Sequence, residues 1–255
     1  MVFFFGFYDN KFSNKLTIPY FTNKGEYQDV KLYRIYISNN KWKISLISKE
    51  YEFYENENFA YISNIDNYSI FSLLTIEEAQ KFDENELLNI GNFTKANPAF
   101  RANLKILFNG GGYSSYQHEY PFEMTKIKGG IVSNIFSIFD LEAEKNYLLL
   151  RNIYFKPINH FFSIFLIDKK SDRILKEFIV ETNKSNIIEI DKKYISPEVS
   201  LVSNEFLGIP IYLNQYEDGM ISIEHTHPPH SYILGQKKYE VVKNYKKKFL
   251  KIVQN

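Results

Sequence analysis

"GIPIYLNQYEDGMISIEHTH" (208–227) is the stretch whose reading decides the fold. Asp218-Gly219 stands between two apolar runs, the strongest short-range sign of a β-hairpin, because glycine accepts the positive φ a tight turn demands. If these two residues form the turn, 217 pairs with 220, Tyr212 lies across from His225, and Pro210 across from His227. Alternation then puts Ile221, Ile223, His225 and His227 on one face of the second strand. The two imidazoles continue a line of isoleucines, pointing inward.

Outward from this hairpin the chain keeps reading as strands. "VKLYRIYIS" (30–38) and "KWKISLIS" (41–48), rich in β-branched and aromatic residues, flank the turn dipeptide "NN". Similar runs recur at "FRANLKILF", "NYLLLRNIYF", "FFSIFLID", "RILKEFIVE" and "VSLVS", divided by "KKSD", "NKSN", "SPE" and "EDG". No long helices alternate with them, which excludes a doubly wound α/β fold. The expectation is all-β: a mainly antiparallel β-sandwich, or a jelly-roll or barrel-like relative of one.

Two segments break the pattern. "TIEEAQKFDENELLNIG" (75–91) has Thr75 and Glu78 at capping-box spacing and Gly91 at a C-terminal cap, predicting a short helical segment, with Asp83 and Glu86 repeating the cap spacing at a break. "QKKYEVVKNYKKKFLKIV" (236–253) predicts a C-terminal helix with Val242, Tyr245, Phe249 and Val253 on one face. Its seven Lys and one Glu give +6, so with +1 overall the remainder carries −5. The expected role of this tail is to pack on the body with its lysines solvated. The organisation reads as an N-terminal β block (1–72), a helical connection (73–97) and a larger β block with the C-terminal helix (98–255), or one continuous domain sharing a core.

Composition narrows the classes. The chain has no cysteine, which excludes thiolate zinc ligands, a cysteine nucleophile and disulfides, and fits a reducing compartment. Near-neutral charge argues against a general nucleic-acid footprint. The opening "MVFFFGFYDNKF" lacks a basic region and is too short in apolar residues for a signal or a membrane span. The expectation is a soluble cytoplasmic protein. Aromatics make up 17% of the chain, which invites a carbohydrate-stacking reading, although they accompany Ile, Asn and Lys, the set with A/T-rich codons.

Chemistry concentrates in two stretches. "EHTHPPH" (224–230) carries His225, His227 and His230. Side chains at i and i+2 of a strand sit about 6–7 Å apart, a separation from which two imidazoles can converge on a divalent transition metal such as Zn, Fe, Mn or Ni. His230 joins only if the chain bends back after Pro228 and Pro229. Gly219, His225 and His227 resemble the glycine, five residues, His-X-His opening of the first cupin metal motif. Ser231 and Tyr232 stand where that pattern has Glu, and no second motif follows, so the family is not assigned. The competing reading is a neutral, hydrogen-bonded histidine cluster.

"NGGGYSSYQHEYP" (109–121) is the second stretch. Its glycines are not followed by Lys-Ser/Thr or a helix, so a phosphate loop is excluded and a flexible turn expected. Beyond them Tyr116, His118 and Tyr120 face one way if extended, and Glu119 the other. His118 or Glu119 is expected as third metal ligand or as general base. Among the four arginines, Arg151 lies on an apolar face with Leu149 and Ile153, where it needs an ion pair, carbonyls or a bound anion. Arg101 precedes the glycine loop and is the better placed for a ligand.

Three functional readings follow. The first is a metal-dependent enzyme acting on a small polar or carbohydrate-like substrate: His225, His227 and His230 hold the ion, Glu119 and His118 do acid–base work, and Arg101, Tyr116, Tyr120 and Arg151 bind substrate. The second is a non-catalytic carbohydrate- or ligand-binding module using the same pocket. The third is a structural or assembly protein.

Overall fold

In the computed structural model the described residues are 1–20, 29–47, 51–91, 101–126, 131–203, 205, 208, 210–225 and 237–253. The sequence-predicted ligands His227 and His230 lie outside them. The described chain is all-β, in antiparallel sheets, with two α-helices.

The N-terminal region supplies β1 (Val2–Phe3), β2 (Phe12–Pro19), β3 (Lys31–Ser38), β4 (Lys41–Leu46), β5 (Glu52–Glu55), β6 (Phe59–Ser63) and β7 (Ile70–Leu74). After them come α1 (Ile76–Ala79), β8 (Asn103–Phe108), β9 (Tyr113–Gln117), β10 (Tyr120–Pro121), β11 (Ile131–Asn134) and β12 (Lys145–Arg151). The chain continues through β13 (Phe161–Asp168), β14 (Arg173–Glu181), β15 (Ser185–Ile190), β16 (Val199–Ser203), β17 (Ile211–Gln215), β18 (Ile221–His225) and α2 (Lys238–Ile252).

One sheet runs β5-β6-β2-β8-β9 and another β4-β3-β7, the latter tied through a Phe4–Phe71 bridge to the β1-β10 pair. A third runs β15-β12-β17-β18 and a fourth β11-β16-β13-β14. The third is central because β12 is apolar on both faces. Tyr147 and Leu149 enter a core shared with Phe5, Leu16, Ile35 and Leu104. Leu148 and Leu150 enter a second core, against Phe162, Ile164 and Leu201 of the fourth sheet. Period-2 geometry sends successive side chains to opposite faces, so an unbroken apolar run can stand only between two layers. The N-terminal and C-terminal blocks therefore meet in the first core, and the third and fourth sheets form a β-sandwich.

The hairpin at 211–225 forms, with its register displaced by one residue from the expected one. Ile211 lies across from His225 and Tyr212 from Glu224. The loop has three residues, closed by Tyr216 N–H to Met220 O (2.9 Å) and Gly219 N–H to Tyr216 O (3.0 Å), with Gly219 at φ +83°. This is the type I turn with a left-handed glycine that three-residue hairpins favour. The physical reason is face matching. Leu213 and Ile211 share the first core with Ile221 and Ile223, whereas Tyr212 belongs to the second. A two-residue loop would have set Tyr212 on the isoleucine face.

The helical expectation at 75–91 shrinks to one turn. The Thr75–Glu78 capping box is present. Beyond it the backbone serves neighbours instead: Trp42 N–H donates to Glu84 O and Leu87 N–H to Phe155 O, both at 2.8 Å. Tertiary hydrogen bonds and burial of Leu87 outcompete helix propagation. The C-terminal helix forms as expected. Phe249, 1% exposed, docks it on Ile167 and Val202 of the fourth sheet, with Val253 against the same cluster. Lys243, Lys247 and Lys251 are exposed; the side chains of Val242 and Tyr245 lie outside the described residues. No helix among the described residues is long and apolar enough to cross a membrane.

Candidate functional site

The glycine-rich loop meets the hairpin turn at Gly219. A methyl group at Gly112 would lie 1.9 Å from Gly219 O, and one at Gly219 2.9 Å from Gly110 O. Only residues without Cβ allow the glycine-rich loop to close on the hairpin turn. This contact seats β9 beside β18, joining the five-stranded sheet to the central one along a seam.

Four of the expected site residues gather at that seam. The Tyr116 ring meets His225 edge-on, centroids 4.9 Å apart. Arg101 Nε lies 3.8 Å from a Glu119 carboxylate oxygen, close enough for an ion pair and beyond a hydrogen bond. Both side chains retain solvent access, 42% for Arg101 and 21% for Glu119. Burial pushes the Glu119 carboxyl up, and Arg101 offsets this only in part. Burial likewise raises Tyr116, with Arg101 lowering it and Glu119 raising it. His225 stands at the end of the Ile221–Ile223 line, half-buried, as alternation predicts.

The other three candidates lie in the interior. His118, 2% exposed, accepts the Phe5 N–H at Nε2 (3.1 Å) and packs edge-on against the Phe5 ring at 4.2 Å. Burial, then the Arg151 charge, pull its pKa down to about 3, so it is neutral at pH 7. With that nitrogen committed, and the Tyr116 ring set against both His118 and His225, it stands apart from the seam. Tyr120 is buried, its hydroxyl accepting the Ile153 N–H (3.3 Å) and donating to Ile153 O (3.4 Å). Arg151, also 2% exposed, donates to Asn67 O, to Tyr68 O (3.2 Å) and to Ser185 Oγ (3.3 Å). Of the partners its apolar face demanded, carbonyls answer rather than an ion pair, and burial draws its pKa to about 9, which leaves it charged at neutral pH.

A second polar knot escaped the sequence reading. Asp66 accepts from Tyr51 Oη (2.5 Å), Ser69 Oγ (2.8 Å) and the amides of Tyr68 and Ser69, while Arg34 Nε donates to Ser69 Oγ at 2.9 Å. Burial alone would raise Asp66; these donors outweigh it and hold the carboxyl below its usual range. The knot pins the 66–69 turn from one side and Arg151 pins it from the other. Its only sequence signal was arginine in a chain that otherwise uses lysine.

Among the described residues no group of three or more His, Asp or Glu side chains could hold a metal ion. Of the three expected ligands His225 alone is described, so a metal centre would need His227 or His230. Comparisons with protein-family models, with curated proteins and with solved structures return no match.

Proposed function

We propose that the seam binds a small polar, carbohydrate-like ligand, with Arg101 and Glu119 as its paired charged contacts and Tyr116 and His225 as its walls. The observation that carries this reading is the Arg101–Glu119 pair, 3.8 Å apart, without a direct hydrogen bond and still open to solvent. A structural ion pair gains most from a close bidentate fork. A pair left ajar keeps guanidinium donors and carboxylate acceptors for hydroxyl groups placed between them. Tyr116 supplies an apolar ring edge and a hydroxyl, the combination suited to a ligand with CH faces and OH rims.

Isothermal titration of the full chain against a panel of neutral and uronic monosaccharides and disaccharides tests this. Saturable binding is expected, weakened about tenfold by Arg101→Gln and by Glu119→Gln, since a charged hydrogen bond contributes about 1.5–3 kcal/mol. Absence of binding across the panel, or binding indifferent to both substitutions, overturns the reading. The same titrations with added zinc, manganese, nickel or iron separate ligand recognition from the metal-dependent enzyme. Metal uptake abolished by His225→Ala, together with metal-dependent turnover, would favour the enzyme.

A further inference from the structure

The outer face of the β5-β6-β2-β8-β9 sheet carries a feature that folding alone does not favour. Lys15 of β2 and Lys105 of β8 are direct cross-strand partners. Like charges placed opposite one another in a sheet destabilise the pairing. Neither lysine has a carboxylate partner among the described residues. Each instead rests on a tyrosine, Lys15 Nζ 5.3 Å from the Tyr61 ring centroid and Lys105 Nζ 3.4 Å from that of Tyr113.

The surrounding face is ordered by register. Glu52, Ser63, Lys15, Lys105 and Ser115 form one straight row across five strands, with the Glu52 carboxylate at its β5 end. The adjacent row is Tyr54, Tyr61, Thr17, Asn103 and Gln117. Tyr54 and Tyr61 stack at 4.8 Å, and Tyr54 and Tyr113 are 58% and 61% exposed. The aromatics thus flank the lysine pair on both sides, and β6 and β9 stand about 14 Å apart at ordinary strand spacing. None of these tyrosines contributes to the hydrophobic cores.

We infer that this face is a docking platform for an acidic oligosaccharide lying across the strands, its carboxylate or sulfate groups over Lys15 and Lys105. The two unpaired cations call for an anion, and the neighbouring row of hydroxyls and amides matches sugar hydroxyls. Single-stranded nucleic acid, the other aromatic-and-basic ligand class, needs open ring faces for base stacking. Here Tyr61 is covered by Tyr54 on one side and Lys15 on the other, and Lys105 covers a face of Tyr113. The platform is distinct from the Tyr116–His225 contact, because β9 turns Tyr116 inward and Tyr113 outward.

The test is titration of the full chain with a galacturonate tetramer, a heparin-derived tetrasaccharide, an uncharged cellotetraose and a thymidine oligonucleotide. Binding of one or both acidic sugars is expected, weakening as salt is added, and the two separate carboxylate from sulfate recognition. Lys15→Gln and Lys105→Gln should each cost about fivefold, the scale of one exposed charge contact. The double variant should melt no lower than the parent, since it relieves a like-charge pair, so lost binding cannot be assigned to unfolding. His225→Ala should leave this binding intact, which separates the platform from the seam. The inference is overturned if neither acidic sugar binds, if binding ignores both lysines, or if the oligonucleotide binds more tightly and through the same lysines.

Discussion

Replacing Arg151 isolates what a buried cation contributes without a carboxylate partner. Its guanidinium holds the carbonyls of Asn67 and Tyr68 and the Ser185 hydroxyl, above the Phe5 ring. In Arg151→Ala, Asn67 O keeps the Ser185 N–H at 2.7 Å, whereas no other donor to Tyr68 O is recorded among the described residues. An orphaned buried acceptor costs about 1–3 kcal/mol. Loss of the large buried side chain adds a cavity cost of about 2–3 kcal/mol. The desolvation recovered on removing the charge is offset by the loss of its three charged hydrogen bonds, so the balance is a loss of about 3 kcal/mol for Arg151→Ala. Arg151→Met fills most of the volume and leaves chiefly the orphaned carbonyl, so about 1–2 kcal/mol is expected. Arg151→Lys should be no better than Ala, because a compact ammonium cannot bridge both carbonyls while its charge stays buried. Urea unfolding at constant m-value measures the series. Hydrogen exchange at Tyr8, whose amide donates to Asn67 Oδ1, reports whether the 66–69 turn loosens first. A lysine variant as stable as wild type, or an alanine variant within about 0.5 kcal/mol of it, the range of an ordinary surface change, would refute the bridging role.

Three further outcomes are expected. His118 binds no proton when folded until about pH 3 but takes one from about pH 6.5 downward when unfolded. Stability should therefore be complete above about pH 6.5, fall by about 1.4 kcal/mol per pH unit between about pH 6.5 and about pH 3, and level off below that. In denaturant titrations His118→Gln, which can still accept the Phe5 amide, should flatten that slope; an unchanged slope would place the acid sensitivity elsewhere. Gly112→Ala should cost about 2–3 kcal/mol, as forced overpacking does, and should part β9 from β18, seen as loss of the Tyr116–His225 ring contact in NMR spectra. Phe249→Ala should cost about 3 kcal/mol and release α2 to proteolysis before global unfolding, whereas retained protection would show that other residues hold the helix.

The legible part of the fold is the part encoded locally. Asn39-Asn40 marked a hairpin, and both residues adopt the positive φ values, 53° and 57°, of its turn. Alternation correctly placed Ile221 and Ile223 in the core, and the unbroken "YLLL" run belongs to the strand buried on both faces. The hairpin register was off by one because choosing between two and three loop residues required knowing that Tyr212 serves a different core. Helix beyond Ala79 failed for a similar reason: the partners of Glu84 O and Leu87 N–H, Trp42 N–H and Phe155 O, are distant in sequence. Proximity within the candidate site was half legible: Tyr116 meets His225, and Arg101 faces Glu119. His118 looked identical by pattern, yet its partner Phe5 lies 113 residues away. The Lys15–Lys105 pair was invisible because nothing in either strand announces the other.

The glycine-rich loop ends with a role different from the one its composition first raised. Its missing side chains bring two sheets together. Gly219 touches Gly110 and Gly112 backbone to backbone, an approach that a Cβ on Gly112 or Gly219 would prevent. Four residues along β9 that closeness becomes chemistry, because Tyr116 can reach His225 only if β9 and β18 run side by side. The same strand turns Tyr113 and Ser115 to the opposite face, beside the lysine pair. Strand β9 is thus the shared wall of both candidate surfaces, and its placement depends on the glycine contact. A substitution at Gly112 should weaken seam binding more than platform binding, since Lys15 and Lys105 belong to the adjoining strands β2 and β8, which remain paired without β18.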